Sequence, residues 1–105
     1  MRTRIMYIES KAGGLTGPAR IGRVAFSKTG ATLYYAGKTF RSSKGTRIKG
    51  NYYDVETGEE YWISGPKRNG QDSLFATNIK SEIDEDVADE YWSQVRGLQP
   101  SRPSD

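Results

Sequence analysis

The chain has 105 residues, enough for one domain with a single modest core. It contains no Cys and no His, which removes disulfides, thiol nucleophiles, the usual zinc sites and His-based triads. Residues 1–50 hold 11 Lys or Arg against the single acid Glu9, a balance of +10, and residues 51–105 hold 5 against 12, a balance of −7. Such a split fits a basic face that seeks a polyanion, and it fits equally two halves that attract each other in the fold.

In chain order, residues 5–9 read as a first strand, with Ile5 and Tyr7 on one side and Met6 and Ile8 on the other. Residues 11–18 form a glycine-rich loop by composition. Residues 19–27 resume extended structure. Ile21 and Val24 lie three apart there, so a bulge is expected at Gly22. Turns at residues 28–30 and at Ala36-Gly37 bracket a strand over 32–35, and residues 38–42, centred on Phe40, return as the next. This spacing predicts an antiparallel meander.

Residues 41–50 are polar and basic. They lead into a stretch, 51–70, that carries Tyr52, Tyr53, Tyr61 and Trp62 around Glu56-Thr57-Gly58, read as a hairpin with a three-residue loop. A last short strand is expected over 73–77. Asp84 then N-caps a helix over 84–96, in which Val87, Tyr91 and Val95 form one apolar stripe and Gly97 ends it. Residues 98–105, with two Pro and two Ser, read as a disordered tail after a single domain spanning 1–97. The expected fold is mainly β: a small antiparallel barrel-like meander (SH3- or OB-like) of five to seven strands with one C-terminal α-helix.

Little in the sequence points to catalysis. The glycines of Gly17–Gly22 and Gly65–Gly70 have a P-loop's spacing but neither its Lys-Ser/Thr nor a helix behind it. Glu59 and Glu60, adjacent on a strand, point to opposite faces. The acids around Asp84 sit where a helix dipole favours them, and their spacing is not that of a calcium loop. We therefore expect a non-enzymatic module with no metal and no cofactor. The constellation that stands out is basic and aromatic: Arg41, Lys44, Arg47 and Lys49, with Tyr34 and Tyr52 on either side, and Trp62, Lys67 and Arg68 beyond. Small barrels grip single strands with such parts, cations on phosphates and rings on bases. A protein partner is the first expectation and single-stranded nucleic acid the alternative. Arg20, Arg23, Lys28 and Lys38 would extend the patch if they face the same way. No apolar run approaches the roughly 18 residues of a membrane span, so no membrane partner and a cytoplasmic protein are expected.

The strings GPARIGRV from Gly17, FSKTG from Phe26, DVETGEEYWISGPK from Asp54 and EIDEDV from Glu82 resemble a family of small bacterial proteins of unassigned function. Some of its members carry the label 1-deoxy-D-xylulose-5-phosphate synthase. The resemblance implies a bacterial cytoplasmic domain and supplies no catalytic residue. A thiamine-diphosphate synthase needs several large α/β domains and a diphosphate–metal site, which this chain has no room to build.

Overall fold

Both faces of the first ribbon are apolar, and that decides the architecture. In the computed structural model, which describes residues 2–11, 17–43, 50–67 and 81–97, β1 (Arg2–Ser10) runs antiparallel to β2 (Ala19–Phe26) in one unbroken register from Arg2 opposite Phe26 to Glu9 opposite Ala19. β3 (Thr32–Tyr35), β4 (Lys38–Ser42), β5 (Tyr52–Asp54) and β6 (Glu60–Ser64) follow, and the order β1-β6-β5-β4-β3-β2 closes through the β1–β2 pairing into a six-stranded antiparallel barrel. A seventh strand, β7 (Glu82–Ile83), lies parallel to β2 beside Arg20 and Ile21. Closure leaves the barrel few edges to protect.

Met6, Ile8, Val24, Phe26, Leu33, Phe40 and Ile63 fill the barrel interior, and Tyr35, Tyr52 and Tyr61 pack against them. Phe40 meets Tyr61 edge-on at 4.8 Å between ring centroids. On the outside of the β1–β2 ribbon, Tyr7, Ala19 and Ile21 meet Val87 and Tyr91 of the C-terminal helical segment, with Ile5, Trp62, Ile83, Trp92 and Val95 around them. Ile21 and Val24 thus belong to two different cores. Gly22 is no bulge, because the spacing of three reflects burial on both faces, not a slip in the ladder.

The turns follow their residues. Ala36 and Gly37 both take positive φ, 52° and 78°, which is the twist a two-residue hairpin between Tyr35 and Lys38 requires. The β5–β6 loop holds four residues, 55–58, instead of three. Asp54 N–H still bonds Glu59 O at 3.0 Å, and Gly58, at φ 77°, closes the loop by donating to Asp54 O. The helix expected over 84–96 is a composite: a 3-10 turn Glu85–Val87, one α-turn α1 (Ala88–Glu90), and Tyr91–Val95 closed by Arg96 N–H on Tyr91 O, five residues back. Its stripe is as expected, with Val87 and Tyr91 buried and Gly97 left-handed at φ 72°. The strand expected over 73–77 and the tail at 98–105 lie outside the described residues.

Gly22 is where the fold has least room. A Cβ there would sit 2.4 Å from the Tyr35 ring and 2.4 Å from the Asp84 carboxylate. Gly22→Ala is expected to cost about 1–3 kcal/mol in denaturant melts, as overpacking does, and most of that cost should vanish in a background with both Tyr35 and Asp84 truncated to Ala. An equal penalty in both backgrounds would contradict the close approach.

Candidate functional site

Neighbouring strands alternate in direction, so the C-terminal ends of β1, β3 and β5 share one end of the barrel with the N-terminal ends of β2, β4 and β6. We call this the upper end and its opposite the lower end. The two differ in chemistry. At the upper end every described cation is paired. Lys11 bonds Glu9 at 2.8 Å with both side chains fully buried. Arg20 reaches Glu82 at 3.1 Å and Asp84 at 2.6 Å, and Lys38 approaches Asp54 at 3.6 Å. Halfway down the ribbon Arg23 meets Glu90 at 2.6 Å. The attraction between the chain's two halves is therefore real. It takes up Arg20, Arg23 and Lys38, which do not join a basic patch.

The remaining described cations of the first half collect elsewhere. Arg2 and Arg4 on β1 and Lys28 in the β2–β3 turn are exposed at the lower end, and Arg41 is exposed on the outer wall of β4. None of these four has a carboxylate partner among the described residues. Arg2 lies over the Phe26 ring, 5.4 Å from its centroid. Lys67, just past β6, is exposed at the same end. The β4–β5 connection leaves from Ser43 and returns at Gly50, also at the lower end. Lys44, Arg47, Lys49 and Arg68 lie outside the described residues.

The wall beside Arg41 is aromatic. Inward positions on β3, β4 and β5 go to Leu33, Tyr35, Phe40, Tyr52 and Asp54, which leaves Tyr34, Arg41 and Tyr53 on the outer face. Tyr34 stands opposite Thr39, and Arg41 stands between Thr32 and Tyr53. Tyr34 is one of two large apolar side chains exposed among the described residues, the other being Val55. Two sequence expectations change here. Tyr52 points into the barrel, where its hydroxyl donates to Gly30 O at 3.4 Å and burial pushes its ionisation up, so Tyr53 takes its place on the wall. Trp62 lies on the far side, opposite Glu9 and packed into the core under the helical segment.

The upper end holds two polar knots that the sequence did not signal. Glu9 accepts from the Tyr7 hydroxyl at 2.6 Å, from Lys11 and from the Gly17 N–H at 3.0 Å, which fastens the end of β1 to the approach of β2. Asp84 occupies the expected capping position, but its side chain caps nothing. It accepts instead from the Tyr35 hydroxyl and from Arg20, which holds the Arg20 guanidinium proton more tightly than usual. Beside this knot a cavity of about 280 Å³ opens into the barrel, lined by Ile8, Phe40 and Tyr61 and rimmed by Arg20, Lys38 and Glu82. Its charged rim is already paired. No group of three or more metal-ligating side chains occurs among the described residues. None of their helices is long and apolar enough to cross a membrane. No family model, curated protein or solved structure matches this chain.

Burial first, and the Asp84 contact second, push the Tyr35 phenol up to about 12. A tyrosine in the unfolded chain ionises near pH ~10. The folded state thus favours the neutral phenol; its contribution is whole below about pH 10 and is lost as pH rises through about 12. Stability measured from pH 9 upward should fall more steeply in the parent protein than in Tyr35→Phe. Parallel curves would show that Asp84 does not hold this phenol.

Proposed function

We propose that this protein is a non-enzymatic module that binds single-stranded nucleic acid on the β3–β4–β5 wall and the adjoining lower end. The observation that carries the reading is the sorting of charge. Lys11, Arg20, Arg23 and Lys38 are matched to carboxylates, whereas Arg2, Arg4, Lys28 and Arg41 have none among the described residues; Arg41 shares the outer wall with Tyr34 and Tyr53, and Arg2, Arg4 and Lys28 lie at the lower end. Exposed Tyr34 offers a face on which a base stacks, and Arg41 on the neighbouring strand meets a phosphate. A protein partner docking through an apolar patch would want Trp62 or Trp92 at the surface, but both are half-buried under or within the helical segment.

The test is binding of short single-stranded DNA and RNA across a salt series. Each phosphate contact on a single strand contributes about −0.7 to the slope of log K against log salt, so four contacts give roughly −3. Arg41→Ala should flatten the slope by about one such unit. Tyr34→Ala should cost about 1–3 kcal/mol with the slope unchanged. Lys38→Ala, at the other end, should change neither. No binding at about 50 mM salt, where phosphate attraction is strong, would overturn the proposal. So would equal losses in Arg41→Ala and Lys38→Ala.

A further inference from the structure

The barrel closes along only part of β1. Ser10 N–H donates to Pro18 O at 3.0 Å and Lys11 N–H to Glu60 O at 2.9 Å, so even-numbered residues of β1 turn their backbone groups to β2 and odd-numbered ones to β6. β6 pairs with β1 only from Tyr7 to Ser10. Continued by two residues, its register would set Pro66 opposite Ile5, and proline has no N–H to extend the ladder. Thr3 and Ile5 therefore aim two N–H and two C=O groups away from β2, with no strand beside them among the described residues. This stretch of β1 keeps an unbroken register against β2 and contains neither Pro nor Gly.

We propose that this edge receives an extended acidic peptide as an added β-strand, a partner that would share Arg2 and Arg4 with nucleic acid but leave the Tyr34 wall free. An added strand would take hydrogen bonds from Thr3 and Ile5, and its alternate side chains would stand beside Arg2 and Arg4. Both arginines are exposed and neither has a carboxylate partner among the described residues. Acids at every second position of the incoming strand match them. A second copy of this chain does not: the antiparallel register that uses both residues sets Thr3 against Ile5 and Arg4 against the same arginine of the other copy. Opposed like charges destabilise a strand pair.

The probes are two labelled six-residue peptides, Thr-Glu-Val-Glu-Val-Thr and its counterpart with Lys for Glu, titrated into the full chain with amide exchange followed in parallel. The acidic peptide should bind at least tenfold more tightly and slow exchange at the Thr3 and Ile5 amides. Arg4→Glu should reverse the preference. Thr3→Pro, which removes one edge donor while leaving the β2 ladder intact, should lose tenfold or more. Tyr34→Ala should leave peptide binding unchanged, so this result stands or falls apart from nucleic-acid binding. Equal binding of the two peptides, unchanged exchange at Thr3 and Ile5, or full binding by Thr3→Pro would overturn the proposal. So would a concentration-dependent dimer that protects the Thr3 amide, since the second copy would then be the occupant.

Discussion

The docking of the acid-rich C-terminal segment on the outside of the β1–β2 ribbon is the constraint on which the rest of the molecule depends. Val87 and Tyr91 are buried against Tyr7, Ala19 and Ile21, and side chains of this size contribute about 1.5–3 kcal/mol each when removed from water. The accompanying ion pairs, Arg20 with Glu82 and Asp84 and Arg23 with Glu90, are partly exposed, and such pairs contribute about 0–1 kcal/mol. Apolar contact therefore holds the segment, and the charges set its position. Their second consequence is electrostatic: with one flank of the ribbon neutralised, Arg2, Arg4, Lys28 and Arg41 are left without a carboxylate among the described residues, at the lower end and on the open wall.

The two ends of the barrel are built on opposite terms. At the upper end Glu9, Lys11, Asp54 and Asp84 are held in hydrogen bonds or ion pairs, two of them across loops that join strands. Losing one partner of a buried pair such as Glu9–Lys11 typically costs about 3–5 kcal/mol, because a charge is left stranded. These groups fix turns and strand ends. At the lower end Arg2, Arg4 and Lys28 are exposed with no carboxylate partner among the described residues, and the wall above them carries half-exposed tyrosines. A rigid upper end and an electropositive lower end suit a protein that grips a flexible polyanion without remodelling itself.

Much of this fold was legible in the sequence, because the apolar positions of β1 and the glycine turns leave few alternatives. Ile5 and Tyr7 do face away from Met6 and Ile8, and each faces its own core. The reading failed where one residue served two demands. Ile21 and Val24 looked like a broken alternation because a strand buried on both faces shows none. In the β5 hairpin, hydropathy alone puts Tyr53 and Val55 inside and Asp54 outside. The chain does the reverse, since Asp54 bonds the Glu56 N–H at 2.8 Å to shape the turn, and that inverts every neighbour's facing. Tyr52 and Tyr53 exchange roles as a result. Trp62 could not be placed either, because its partners come from a helical segment almost thirty residues later.

Under the proposed function, nucleic acid should follow the charge that the C-terminal segment leaves uncompensated. Two-dimensional amide NMR of the protein titrated with a short single-stranded oligothymidylate tests it most directly. Shifts are expected at Lys28, Thr32, Tyr34, Arg41 and Tyr53, with Arg20, Arg23, Lys38 and Val87 unmoved. Shifts centred on Arg20 and Lys38, or on the helical segment, would contradict it.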